Sequence, residues 1–197
     1  MKKIYLLIAT LFVSCMLCAQ TSSTEHFTFK GVPIDGSISE FVSRLQEVGY
    51  TPSNFDEKSA ELTGAFGGEY DCKIAVFATP KSHKVYNLLV IMSTSSSWNS
   101  LKSDYKEYKS MLTTKYGKPK TSVERFKDPY YEGDGYEIQA FRLNKGLYVS
   151  WFETESGVVT LAISYLEGGA RIVMIYTDNI NNNLNDAEVN TMKYGDL

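Results

Sequence analysis

The sequence predicts an α+β fold in which helices pack on an antiparallel sheet, and three observations lead to this prediction. Residues 97–119 carry apolar side chains at the three- and four-residue steps of an amphipathic helix. After about residue 60, and again after Gly117, the sequence has the alternation of strands with one solvated face. Glycine-containing turns separate these strands, which favours successive antiparallel hairpins with segregated helices.

The order of these elements predicts two similar units, each with one helix followed by three or more antiparallel strands. The first unit is placed at residues 20–96 and the second at residues 97–178, followed by a polar tail at residues 179–197. The first helix ends in VGY and the second in KYGKP. The similarity therefore lies in the pattern of elements more than in residue identity. Leu184, Val189 and Met192 indicate a short amphipathic helix in the tail.

The N-terminal residues have the pattern of a signal peptide. Lys2 and Lys3 precede an apolar run too short for a transmembrane helix, and Ala19 provides a small residue at the expected cleavage point. We therefore expect residues 1–19 to be removed and the protein to be periplasmic or secreted. An alternative is a lipid anchor at Cys15, because the preceding Phe-Val-Ser loosely resembles a lipobox.

Removal of the leader has two consequences for the remaining chain. Cys72 becomes the single cysteine, so no intrachain disulfide is available. The chain has 20 basic and 23 acidic residues, and loss of two leader lysines changes the net charge from −3 to about −5. This acidic balance argues against a nucleic-acid partner.

In the first unit, residues 26–30 alternate like a strand, and residues 31–36 form a turn. Ser37 and Glu40 then form a capping-box pattern, and Gly49 ends the helix. The apolar face of this helix is predicted to consist of Ile38, Phe41, Val42, Leu45 and Val48. Strands follow at residues 61–66, 69–80 and 84–94.

Side-chain alternation assigns faces to these strands. One face of the strand at residues 69–80 is predicted to carry Tyr70, Cys72, Ile74 and Val76, which makes Cys72 a buried and unreactive thiol. Residues 88–92 are apolar on both faces, which predicts a central position in the sheet.

The second unit begins with the clearest helix of the chain. Ser97 can cap its first amides, and Gly117 followed by Pro119 can end it. Its apolar stripe consists of Trp98, Leu101, Tyr105, Tyr108, Leu112 and Tyr116. A strand is predicted at residues 121–126, followed by a loop at residues 127–137. Further strand segments are predicted at residues 137–144, 147–155, 158–167 and 171–178.

From about residue 27 to residue 178, the order of elements resembles that of small secreted bacterial proteins with tandem helix-plus-sheet units. These include beta-lactamase-inhibitor-like folds and the folds of small outer-membrane-assembly lipoproteins. The resemblance covers the order of elements and no diagnostic motif. It implies a protein-binding role and carries over no catalytic residue.

Familiar catalytic and metal-binding patterns are missing from the sequence. The two histidines, His26 and His83, have no second ligand at the spacing of a zinc site, and no G-x-S-x-G elbow occurs. Glu153 and Glu155 are expected to be solvated and not a catalytic pair. Two sets of oxygen ligands are candidates for calcium, one of Asp128, Glu132 and Asp134 and one of Asp178 with the asparagines that follow it. Neither set has the spacing of a calcium loop. We therefore predict no catalytic residue, no metal and no cofactor.

The feature that points to a function is the tyrosine-rich acidic loop KDPYYEGDGYE. Its proline and glycines favour open turns, and its carboxylates keep it at the surface. Exposed tyrosines can anchor a protein partner or stack on a sugar. The leading hypothesis is a noncatalytic protein-binding module that uses Tyr130, Tyr131 and Tyr136. The alternatives are a small-ligand binding protein, for example for carbohydrate, or a hydrolase with a dispersed site.

Overall fold

Residues 25–195 are described by a computed structural model, and within them the chain forms four helices and ten strands. The helices are α1 (Ile38–Glu47), α2 (Trp98–Tyr116), α3 (Glu137–Arg142) and α4 (Asn179–Gly195). The strands are β1 (Thr28–Phe29), β2 (Val32–Pro33), β3 (Thr51–Phe55), β4 (Ser59–Phe66), β5 (Glu69–Ala78), β6 (Val85–Ser95), β7 (Thr121–Phe126), β8 (Gly146–Glu153), β9 (Gly157–Leu166) and β10 (Gly169–Asp178). The predicted α+β class with antiparallel sheet is confirmed.

Eight strands form one antiparallel sheet in the order β3-β4-β5-β6-β10-β9-β8-β7, and β1 pairs with β2 in a separate hairpin. Consecutive hairpins lead from β3 at one edge to β6 at the centre. The chain then passes through α2 to β7 at the opposite edge, and β8, β9 and β10 return to the centre. The two central strands, β6 and β10, are therefore far apart in the sequence, and the central position predicted for residues 88–92 is confirmed.

One face of the large sheet is covered by helices, and we call it the covered face. Strand register aligns one row of side chains across it: Leu62, Ile74, Val90, Met174, Leu161 and Ser150. All six are buried. Tyr105 of α2 reaches this row, since its hydroxyl lies 2.8 Å from Ser150 Oγ. The buried side chains of α1 belong to the same apolar cluster.

Helix α2 has the ends that the sequence predicts. Ser97 Oγ accepts a hydrogen bond from the Ser100 amide at 3.4 Å, and Gly117 adopts a φ of 85° while its amide donates to Thr113 O. Its stripe is buried except for Tyr116, which is half-buried. Trp98 also stacks edge-on against Tyr148, with ring centroids 5.1 Å apart. The stripe is therefore the surface by which α2 covers the sheet.

Helix α1 also follows the prediction, with one exception at its end. The capping box is present, with Ser37 N donating to Glu40 Oε2 at 2.8 Å and Glu40 N donating to Ser37 Oγ at 3.3 Å. Val48, however, was predicted on the buried face and is 45% exposed. It is the C-cap residue, and its backbone has already left the helical conformation, so the helical period no longer applies to it.

Two details of the strands differ from the prediction. Tyr70 was placed with Cys72 on the buried face, but it is 83% exposed because Asp71 has a φ of 59° and interrupts the alternation. Strand β3 was not predicted at all. It is an edge strand of the sheet, and almost all of its residues are exposed, so it has no apolar alternation to detect.

The prediction of a strand at residues 137–144 is wrong, because Glu137–Arg142 form a helix. Helix α3 has only six residues and buries Ala140 and Phe141, whose ring lies 5.8 Å from that of Trp98. A segment this short gives no measurable helical period. The tail forms the helix α4, which is seventeen residues long; Leu184 and Val189 are half-buried and Met192 is exposed.

Candidate binding surface

The other face of the large sheet, which we call the open face, has an apolar centre. One row of its side chains consists of Lys73, Ile91, Val173, Ala162, Val149 and Val123. The next row consists of Glu61, Ala75, Leu89, Ile175, Thr160 and Trp151. An antiparallel sheet with one solvated face normally carries polar residues there. The central strands of this sheet are instead apolar on both faces.

Within residues 25–195, the centre of the open face is not covered by a helix. Helices α2 and α3 contact the covered face through Trp98 and Phe141, and α1 belongs to the same core cluster. Helix α4 lies at the end of the sheet, where Asn181 donates to Val85 O at 2.8 Å and Glu188 accepts from the Lys81 amide at 2.7 Å. The open face is thus accessible for a contact with another molecule.

The exposed fractions of the side chains agree with an uncovered apolar surface. Trp151 and Phe77 are 36% and 38% exposed. Leu89, Ile91 and Ile175 are half-buried, whereas their sequence neighbours on the covered face are buried. Val149 and Val173 of the open face are 7% and 4% exposed, because larger side chains flank them on their own strands. Strongly apolar side chains in contact with water are characteristic of a binding surface.

The charged groups at the border of the open face are already paired with each other. Lys73 Nζ lies 2.8 Å from Glu167 Oε2, and Arg171 Nη1 lies 3.3 Å from the same oxygen. Lys120 Nζ pairs with Glu153 at 2.5 Å. The hydrogen bond from Lys73 is the main reason why the pKa of Glu167 is lowered. The border is therefore charged, and most of its charges are paired, although two cations share the single carboxylate of Glu167.

The predicted tyrosine loop lies near the start of α3, and its three tyrosines differ in exposure. Tyr131 and Tyr136 are 65% and 59% exposed, whereas Tyr130 is half-buried and its hydroxyl accepts a hydrogen bond from Gln139 Nε2 at 3.0 Å. The amides of Tyr131 and Tyr136 both donate to the carboxylate of Asp134. The loop thus holds two tyrosine rings at the surface. Their role in partner binding stays a prediction.

The acidic residues of this loop bond to protein groups and do not converge on one point. Glu132 pairs with Lys102 and accepts a hydrogen bond from the Tyr148 hydroxyl at 3.3 Å. The hydrogen bond from Lys102 is the largest cause of the lowered pKa of Glu132. Across residues 25–195, no group of three or more His, Cys, Asp or Glu side chains is arranged to hold a metal ion.

The histidines lie in structural contacts. His26 Nδ1 lies 3.1 Å from Asp178 Oδ1, and its Nε2 lies 3.5 Å from Asp35 Oδ2. The fully buried carboxylate of Asp178 also accepts from the amides of Phe27 and Asn181, both at 2.7 Å. This cluster joins the N-terminal hairpin to α4, and it was missed because its members are separated by about 150 residues. His83 lies in the β5–β6 turn, 3.3 Å from Glu57 O.

The remaining sequence candidates are not brought together. Cys72 is buried, and burial raises its pKa, as expected for an unreactive thiol. Glu153 pairs with Lys120 and belongs to the border of the open face. No helix within residues 25–195 has the length and hydropathy needed to cross a membrane. Comparisons with protein families, with curated proteins and with solved structures find no match for this chain.

Proposed function

We propose that this protein is a noncatalytic protein-binding module of the cell envelope or the secreted fraction, and that it docks its partner on the open face of the sheet. The observation that carries the proposal is the apolar centre of that face. Burial of such a surface against another protein releases water from apolar groups at no conformational cost to the rigid strands.

The open face is large enough for a specific interface. Eight strands about 4.8 Å apart and about eight residues long, at about 3.4 Å per residue, give an area of roughly 900 Å². A standard interface buries about 800 Å² on each partner. The two protruding aromatic side chains, Trp151 and Phe77, belong to residue types that provide large contact area at small entropic cost.

The chemistry of the border indicates the kind of partner. Each of its named lysine, arginine and glutamate side chains already contacts a group of opposite charge, so a partner need not supply a charge for every one of them. We therefore propose a partner with a mainly apolar and nearly flat surface, such as the face of another sheet or of an amphipathic helix. The tyrosine loop, whose Glu132 contacts Lys102 of α2 and Tyr148 of the covered face, is proposed as a second, separate anchor.

Two further proposals concern compartment and origin. Residues 1–19 lie outside the described residues, and we propose that they direct export, with a lipid anchor at Cys15 as the alternative. We also propose that the chain contains two related units. In support, α1 precedes β3 to β6 and α2 precedes β7 to β10, and the last strand of each set meets the other at the centre of the sheet.

Site-specific photo-crosslinking tests the docking surface. A photoreactive amino acid is introduced at Thr160, in the middle of the open face, and in a matched variant at Ser110, on the exposed side of α2. We expect crosslinked products from position 160 and not from position 110 when each variant is expressed in its native envelope. The mass of the product distinguishes a different protein from a second copy of this chain. No product from position 160 would contradict the proposal.

A charge-insertion pair tests the same surface without crosslinking. Phe77→Asp combined with Trp151→Asp should weaken capture of the partner, once crosslinking has identified it, by at least about tenfold. The matched control, Val48→Asp combined with Met192→Asp, changes two similarly exposed apolar residues elsewhere and should leave capture unchanged. Equal loss in both variants would show a nonspecific effect of added charge.

The tyrosine loop has its own test. Tyr130→Ala combined with Tyr131→Ala should weaken partner binding by at least about tenfold, or 1.4 kcal/mol. Tyr131 and Tyr136 are both exposed, so Tyr131→Ala combined with Tyr136→Ala should weaken partner binding to the same extent and leave thermal stability almost unchanged. Unchanged affinity would exclude the loop from the interface and leave the open face as the docking site.

A further inference from the structure

A small apolar pocket lies on the covered side of the sheet, away from the open face. It forms where the β1–β2 hairpin, the β4–β5 turn and the C-terminal half of α2 meet over β10. Its volume is about 210 Å³. Its walls include Phe66, Met111 and Leu112, and Met174 and Tyr176 come from β10. Four distant segments of the chain thus converge on one cavity.

Aromatic rings and a glycine define the shape of the pocket. Phe29 stacks on Phe66 at 5.6 Å between centroids and meets Tyr176 edge-on at 5.2 Å. Gly67 has a φ of 60°, and a Cβ atom there would come within 2.8 Å of the Tyr108 ring. A side chain at this position would therefore disturb the wall. The rings and the tight turn hold the pocket in one shape.

Two lysines also line the pocket, and neither has an acidic partner within residues 25–195. Lys30 comes from the hairpin, and Lys115 comes from the last turn of α2. The contacts that the structure gives them are with aromatic rings: Lys30 Nζ lies 5.5 Å from the Phe66 centroid, and Lys115 Nζ lies 5.0 Å from the Tyr116 centroid. In an acidic chain whose other lysines often pair with carboxylates, these two ammonium groups are available to an anion.

Tyr176 adds an unused hydrogen-bond donor to the same pocket. The side chain is only 5% exposed, and its hydroxyl forms no hydrogen bond to any residue in the range 25–195, while its oxygen keeps some contact with solvent. Burial raises the pKa of this hydroxyl, so it stays protonated at physiological pH. A hydroxyl that lines the pocket and has no partner in the protein can donate to a ligand oxygen.

We propose that this pocket binds a small amphipathic carboxylate, with its apolar chain against the aromatic wall and its carboxylate held by Lys30, Lys115 and the Tyr176 hydroxyl. The volume is somewhat larger than the roughly 150 Å³ of an engineered apolar cavity that binds benzene, which limits the enclosed part to a short acyl chain or a single ring. The inference is independent of the proposed protein-binding function, because it uses the opposite side of the sheet.

Calorimetric titration with sodium octanoate and with 1-octanol tests this proposal on the purified full chain. The two probes share the alkyl chain and differ in charge. We expect the unmodified protein to bind octanoate at least about tenfold more tightly than octanol. No detectable octanoate binding at millimolar concentration, or equal affinity for both probes, would overturn the proposal.

Four variants assign the binding to the pocket. Lys30→Gln with Lys115→Gln should weaken octanoate binding by about tenfold or more and leave octanol binding unchanged. Tyr176→Phe removes only the hydroxyl and should weaken octanoate binding several-fold. Met111→Glu, at an exposed wall residue, should abolish octanoate binding by repulsion and retain the fold.

The fourth variant is the matched control for net charge. Lys127→Gln with Lys193→Gln changes two exposed lysines that lie outside the pocket, and it should bind octanoate as the unmodified protein does. If this control loses as much affinity as the Lys30 and Lys115 pair, binding depends on overall charge, and the assigned site is wrong.

Discussion

The two faces of the large sheet are built from the same strands but have different surroundings. On β6, Leu88 is fully buried under the helices, whereas its neighbour Leu89 is half-buried on the open face. On β9, Leu161 and Ala162 show the same contrast. Apolar character is thus similar on both faces of the central strands, and the difference lies in what covers them.

The helices therefore cover only one of the two apolar faces of the sheet. A strand that is apolar on both faces is normally buried on both faces. Here helices of the same chain cover one face, and we propose that a partner protein covers the other.

Thiol labelling should show the largest difference between the faces. Cys72 points to the covered face, and Lys73 points to the open face. In a Cys72→Ala background, a Lys73→Cys thiol should react at least about a thousandfold faster than native Cys72, which requires opening of the core. In denaturant, both thiols should react at similar rates. Fast labelling of native Cys72 would show that the covered face is accessible to solvent.

Truncation of adjacent leucines should also separate the faces. Leu88→Ala should lower the free energy of unfolding by about 2–5 kcal/mol, because it leaves a cavity under the helices. Leu89→Ala should cost less than about 1.5 kcal/mol in the isolated protein, since water already reaches its side chain. Urea denaturation measures both values. A cost for Leu89→Ala as large as that for Leu88→Ala would mean that something in the chain covers the open face.

Alkaline pH should destabilise the covered face through its tyrosines. Burial raises the pKa of Tyr50 and of Tyr105 to about 12, against an ordinary value of about 10. Between pH 10 and 12 the unfolded chain therefore releases protons that the folded chain retains, so the free energy of unfolding falls as pH rises through this window. Urea denaturation from pH 9 to pH 11 should show this fall.

A double variant isolates these two residues. Tyr50→Phe with Tyr105→Phe should make the alkaline decrease less steep, while part of it persists because burial also raises the pKa of Tyr108 and Tyr148. A decrease with the same slope in the variant would assign the effect to other groups.

The smallest effect is expected on the outer side of the covering helix. Lys106→Ala should change the free energy of unfolding by less than about 0.5 kcal/mol, because the side chain is exposed. Leu112→Ala, on the buried stripe of the same helix, should cost about 2–5 kcal/mol. Thermal or urea denaturation of both variants checks the packing direction of α2, and equal effects would refute it.

Much of the fold could be predicted because its signals are local. The caps and stripe of α2, the capping box of α1 and the alternation of β5 depend on residues within a few positions of one another. The exceptions have physical causes. Tyr70 follows a positive φ at Asp71 that alternation does not reveal, and the exposed edge strand β3 has no apolar period.

The candidate sites were less accessible to sequence reasoning. The apolar residues of β6 were predicted to be central, but no pattern of neighbouring residues indicates that one face of this strand lacks a covering helix. Lys30, Lys115 and Tyr176 come from three distant segments, so their meeting in one pocket depends on the tertiary fold. The tyrosine loop could be located from composition, since proline, glycine and acidic residues keep it at the surface.

The pairing of β6 with β10 has a consequence for folding. Contacts between strands so distant in sequence close slowly, because a long loop must be ordered before they form. Until residues 169–178 have been synthesised, β6 has one unpaired edge and two apolar faces, which is the combination that promotes aggregation of nascent chains. The strand that is synthesised last, β10, is therefore the one that protects the centre of the sheet. Nascent chains that end between residues 96 and 168 should be the most dependent on chaperones.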